Sequence, residues 1–158
     1  MSILISESGS EPITTADVKA WAKVENSDED TLVLSLITSC RKEIEAYTKN
    51  VLRPQVWRTK YIAETIKNRF YSPRIAASSV VVTVDGDTIT DYLFNEVTGC
   101  LRLNYDYSND ELIVIEWTMA TALSSLAPLT QALKDLVTYR FYNRGLYDMP
   151  DNVKTILN

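Results

Sequence analysis

The sequence predicts an α+β chain with helices and strands segregated: an N-terminal helix pair, a central antiparallel β meander, then a C-terminal long helix plus a short terminal helical turn. Three observations predict it. Apolar residues recur at helical spacing over 13–50; the period changes to strand-like alternation over 54–118; helical spacing returns over 128–145. With 158 residues, a single domain is expected over 1–158.

Residues 1–12 are small, polar and without a capping signal, so they read as a flexible N-terminal tail. The first helix announces itself at Thr14, whose hydroxyl can cap the backbone while Asp17 reaches back and Ile13 staples onto Val18. Val18, Trp21 and Ala22 share one face. Ser27-Asp28-Glu29-Asp30 is a second start signal, with its carboxylates at the positive end of a helix dipole. Val33, Leu36, Ile37, Cys40, Ile44 and Tyr47 then fall on one stripe, opposite Ser35, Thr38, Lys42, Glu45 and Lys49. Leu34 lies off the stripe, either as a lone surface leucine or as part of a contact.

From Val56 to Ile62 the residues are aromatic and branched, as a strand requires. Ser79–Val84 is a second strand, and Asp85-Gly86 suits a hairpin turn with positive φ at both central positions. Thr88–Phe94, Cys100–Tyr105 and Glu111–Trp117 continue the pattern. Pro128 fits the first turn of a helix running to about Arg144, with Gly145 as its stop. Leu129, Leu133, Leu136 and Val137 supply its core face. Tyr139, Phe141 and Tyr142 point in three directions, so either the core wraps that end or another chain does. Met149-Pro150-Asp151 opens the last turn, which carries Val153, Ile156 and Leu157.

Composition excludes most chemistry. Histidine is absent, which removes Ser–His and Cys–His nucleophiles and the commonest metal ligand. None of the four glycines falls in a phosphate-cradling motif, and Cys40 and Cys100 lack metal-ligand spacing. No catalytic, cofactor-binding or metal residue is therefore assigned, and only carboxylates remain. Asp85, Asp87 and Glu96 stand at positions of a calcium loop, but Ile89 and Thr90 occupy places where a ligand and a glycine are needed, so a hairpin is expected. Asp106, Asp110 and Glu111 could serve a metal-dependent hydrolase, although solvated turn acids are the simpler reading. No apolar run approaches the ~20 residues of a membrane span, and no signal pattern is present, so a soluble chain made in a reducing cytoplasm is expected.

Net charge is −5, unevenly spread. Six basic residues and one acid lie between Arg53 and Arg74; eight acids and one base lie between Asp85 and Glu116. Either the two runs pair within one sheet, or a basic face of one subunit meets an acidic face of the next. On the second reading, the candidate subunit-interface residues are Leu34, Arg58, Lys60, Arg69, Arg74, Asp106, Asp110, Tyr139, Phe141 and Tyr142. Specific DNA binding is disfavoured by the negative balance.

The stretch Ile13–Trp57 resembles the opening of the head–tail connector (adaptor or head-completion) family of tailed bacteriophages, with Asp28, Asp30, Leu32, Leu36, Ile37, Glu45, Tyr47 and Trp57 as the best-matching positions. Tyr142-Asn143-Arg144 and the Pro-led turn from Met149 to Leu157 are similar to the family's ending, though the final arginine common there is missing. The resemblance implies a virion neck protein that forms a ring, usually of twelve copies, beneath the portal. Such a ring extends the DNA channel, where genomic DNA passes close by without specific binding, and docks the next neck, stopper or tail protein. No membrane is involved. The resemblance also maps portal contact to residues 147–158, with Tyr147, Met149, Val153, Ile156 and Leu157 as candidates and a segment dispensable for folding. A stopper or tail terminator is the alternative; those are richer in strand and lack paired opening helices.

Overall fold

The computed structural model describes residues 2–63, 68–75, 77–104, 110–121, 126–145 and 148–157. Its elements run β1 (Ser2–Glu7), α1 (Thr15–Ala22), α2 (Asp30–Thr48), β2 (Gln55–Ile62), β3 (Arg69–Tyr71), β4 (Ala77–Val84), β5 (Asp87–Ile89), β6 (Tyr92–Asn95), β7 (Cys100–Leu103), β8 (Leu112–Met119), α3 (Leu126–Tyr142) and α4 (Asp151–Leu157). The segregation expected of an α+β chain is present and goes further than expected. By their own contacts the residues group into two compact units. Met1–Gly9 with Arg53–Thr121 holds the strands, and Ser10–Leu52 with Ala122–Asn158 holds the helices.

The strand unit is two antiparallel sheets, ordered β1-β2-β8-β4-β5 and β3-β7-β6. A meander of sequential neighbours is thus replaced by long-range pairing: β8 lies between β2 and β4. The reason is burial. β8 turns Ile113, Ile115, Trp117 and Met119 inward, and its place between β2 and β4 pairs the backbone of this buried strand along both edges. Phe70, Leu101 and Leu103 of the smaller sheet meet them. Phe94 sits edge-on to Trp117 at 6.2 Å, and Tyr61 to Phe70 at 4.9 Å. Buried Thr59 is satisfied by the Trp117 indole N–H at 3.2 Å. Two-residue turn geometry appears where expected: Asp85 and Gly86 have φ of 48° and 98°.

The expected N-terminal tail is instead β1, paired with β2 from Ser2↔Thr59 to Glu7↔Gln55. Its side chains are largely exposed, so hydropathy carried no signal; the backbone ladder along β2 is what orders it. Arg53 Nη2 then donates to the Gly9 carbonyl at 2.6 Å.

In the helical unit, α1 begins with the expected capping box, the Asp17 N–H donating to Thr14 Oγ1 at 3.1 Å and the Thr14 N–H to Asp17 Oδ2 at 2.8 Å. These bonds hold the Asp17 carboxyl below its ordinary value. Glu29 at the α2 N-cap makes no side-chain capping bond to the helix backbone, and Asp30 pairs with Lys19 at 2.8 Å. Val18, Val33, Ile37, Cys40 and Ile44 pack with Leu129, Ala132, Leu133, Leu136 and Val137 in one core. Tyr47 and Trp21, expected on buried faces, are exposed; the Trp21 indole donates to Asp135 at 3.0 Å.

Glu45, expected on the solvent side of α2, is buried with Arg41. Arg41 Nε donates to Glu11 Oε2 at 2.8 Å and its Nη1 to Glu45 Oε2 at 2.8 Å. Glu11 Oε1 accepts from Thr38 Oγ1 at 3.1 Å, and Glu45 Oε1 from the Leu52 N–H at 2.7 Å. One guanidinium therefore ties residue 11, the middle of α2 and residue 52 together.

Arg41→Leu would strand two carboxylates and is expected to cost about 3–5 kcal/mol, read from urea unfolding. Burial pushes the Cys40 thiol up to about 11 from 9.0. The folded chain thus keeps a proton that the unfolded chain releases, so this contribution to stability is full below pH 9.0 and is lost as pH rises toward about 11. At pH 8 a thiol reagent should modify Cys100 in the native protein and reach Cys40 only after denaturation.

Candidate subunit and docking surfaces

On the strand unit, β2 and β8 place Arg58 opposite Glu116, and the two form an ion pair at 2.6 Å. That candidate contact is met within the sheet, the cross-strand alternative of the two weighed from the sequence. Lys60 is exposed opposite Val114. With Val81 and Thr83 these residues line a shallow groove of about 330 Å³. The Arg74 guanidinium lies over the Trp57 ring at 4.9 Å. Arg69 is exposed and faces Arg102 across β3 and β7.

Asp85 sits in the β4–β5 turn and its Oδ1 accepts the Leu112 N–H at 2.8 Å, while Glu96 lies in the separate β6–β7 turn. Asp110 is exposed, with φ of 79°, two residues before β8. Asp106 lies outside the described residues. Among the described residues no group of three or more Cys, Asp or Glu side chains is arranged to hold a metal ion. Nor is any described helix long and apolar enough to cross a membrane.

On the helical unit, Leu34 points outward from α2 at 51% exposure. Tyr139 is half-buried, and Tyr142 exposes its ring while its hydroxyl donates to the Ala22 carbonyl at 2.7 Å. Phe141 is a correction: it is buried in the unit's own core, so it is not free for a neighbouring subunit. The all-apolar end of α3 is explained in part by its own core wrapping it. The C-terminal segment needs the same correction. Met149 and Val153 are core residues, Leu157 packs against that core, and Ile156 is exposed; Tyr147 lies outside the described residues. A segment expected to be dispensable for folding is anchored instead.

Sequence reasoning missed a groove of about 440 Å³ lined by Leu32 and Leu36 of α2 and by Arg140, Asn143, Arg144 and Gly145. Its signal was the pair Leu32 and Leu36, four residues apart at the margin of the buried stripe. Arg140 and Arg144 rim it, ion-paired to Glu43 and Glu29 respectively.

Residues 12–84 match the sequence pattern of the phage gp6-like head-tail connector protein family. The likeness to that family covers this segment, a little under half of the chain. Its order of capped helix, acidic turn, long helix and tryptophan strand is the one the sequence resemblance rested on.

The chain's whole length has structural counterparts. A chain in the neck of an empty gene transfer agent particle, computed with C6 symmetry, is 15% identical with a TM-score of 0.77, covering 100% of this chain and 93% of its own. A chain of the native gene transfer agent virion is 16% identical at TM-score 0.77, covering 99% and 93%. One from the native neck computed with C12 symmetry is 16% identical at TM-score 0.67, covering 98% and 92%. At these identities the likeness establishes the fold. Among curated proteins, none matches this sequence.

Truncation after Asp148 removes Met149 and Val153 from the core and should lower the melting temperature sharply or prevent folding, read by circular dichroism.

Proposed function

We propose that this protein is a head–tail connector, a structural protein of the virion neck that works by contact alone. It forms a ring beneath the portal, a dodecamer on the capsid, extends the channel for genomic DNA, and docks the next neck or tail protein. The observation that carries this reading is the family pattern over 12–84, within a chain that takes the fold of neck proteins from end to end. Rotational symmetry of the particles holding those neck proteins supports a ring, since each copy would meet the next through two different patches. Net charge of −5 suits a conduit, because a basic lumen would hold DNA in place.

For the portal, α4 offers one exposed apolar side chain, Ile156, on a helix held by buried Met149 and Val153. A rigid support of this kind presents its contact without an ordering cost. The paired helices α1 and α2 favour a connector over a stopper or tail terminator.

The full chain mixed with its purified portal and run over a sizing column with light scattering should give one complex of ring mass. A chain that remains a monomer and ignores the portal contradicts the proposal. Ile156→Ser should weaken that complex while shifting folding stability by no more than about 0.5 kcal/mol, as surface substitutions do. Equal binding by the variant would remove Ile156 from the contact.

A further inference from the structure

The outer face of the smaller sheet carries two arginines side by side. Arg69 of β3 and Arg102 of β7 are opposite one another in register, and Leu93 of β6 continues the row beyond Arg102. Both arginines are exposed, and neither has a hydrogen-bond or ion-pair partner among the described residues. Like charges directly opposite on a sheet destabilise it. The residues around them are apolar and open: Leu93 is 62% exposed, Tyr71 61%, and Val97 at the β6–β7 turn 95%. A groove of about 420 Å³ runs along this face, lined by Arg69, Leu93, Asn95, Cys100 and Arg102 among others.

The larger sheet of the same unit has the opposite excess. Asp85 and Asp87 flank Gly86 in the β4–β5 turn. The Asp85 N–H donates to the Leu112 carbonyl at 3.0 Å, which brings Asp110 to the same end of the sheet. Asp87 and Asp110 are exposed and have no cationic partner among the described residues. One unit therefore holds a basic row and an acidic end, each left uncompensated.

We propose that the Arg69–Arg102 face receives the acidic end of a second copy of this chain, with Asp85, Asp87 and Asp110 meeting the two arginines. The inference rests on the ring reading above and names its contact. Charge complementarity points to the same chain as occupant. Leu93, Tyr71 and Val97 call for a protein surface and not a phosphate backbone, and a net charge of −5 repels nucleic acid. The contact joins two different patches, so it propagates head to tail, as each contact around a ring must.

The test uses the full chain, alone and with portal, followed by sedimentation velocity and by melting. Arg69→Glu places opposite charges across β3 and β7, so it should raise the melting temperature while weakening assembly about tenfold or more. R69E/R102E and D87K/D110N should each assemble poorly alone, and an equal mixture should associate again. Normal assembly by R69E/R102E, or a mixture that stays apart, overturns this contact and leaves the ring reading standing. A wild-type chain that assembles neither alone nor on portal overturns both. Loss of DNA retention by R69E/R102E in a gel shift, with assembly intact, makes the face a nucleic-acid surface and overturns the proposal as well.

Discussion

Arg41 is a guanidinium with no access to solvent, held between the carboxylates of Glu11 and Glu45. Its removal would leave the buried Glu45 and the part-buried Glu11 carboxylates without their cation, which no repacking of leucines could satisfy. Glu45 in turn accepts the Leu52 N–H, so the helical unit fixes both the point where the chain enters it from residue 10 and the point where it leaves at residue 52. The apolar stripe of α2 makes the helix amphipathic, but the charge network selects one rotation and one path for the flanking chain. A buried pair of this kind adds little net stability over a well-packed apolar replacement, so its use here is to specify geometry.

The strand unit solves a different problem. β8 is apolar on one face and mixed on the other, and it lies at the centre of a sheet. β2 and β4 flank it, the smaller sheet caps its inner face, and the turn acids and sheet arginines are left at the periphery. Charges that can pair across strands do so, as Arg58 with Glu116. Arg69 and Arg102 do not, and a sheet that places them together is shaped by something outside its own stability.

Local signals were legible in the sequence where one short stretch decides the outcome. The Thr14–Asp17 box, the Asp85-Gly86 turn and the Pro-led final helix are such cases, each set by hydrogen bonds or φ within a few residues. Non-local pairing was not legible. β1 has exposed side chains and exists because β2 offers a free edge, and β3 is three residues long. Burial of Glu45 was invisible for the same reason, since it is held by Arg41 and by the Leu52 N–H, and Arg41 is itself held by Glu11, 30 residues away in sequence. For the candidate surfaces, exposure separated the list: Leu34, Lys60, Arg69 and Asp110 are open, whereas Phe141, Met149 and Val153 are core. Composition names apolar residues but does not say which side of a helix end the core will claim.

On the proposed reading, this protein acts by its place in an assembled particle. Electron cryomicroscopy of the intact particle is the direct test, because the strand-bearing unit and the helical unit can each be fitted to density by itself. The account predicts a ring of copies between portal and tail, with the arginine row of one copy against the acidic turn of the next. Density for the chain elsewhere in the particle, or none in it at all, would contradict it.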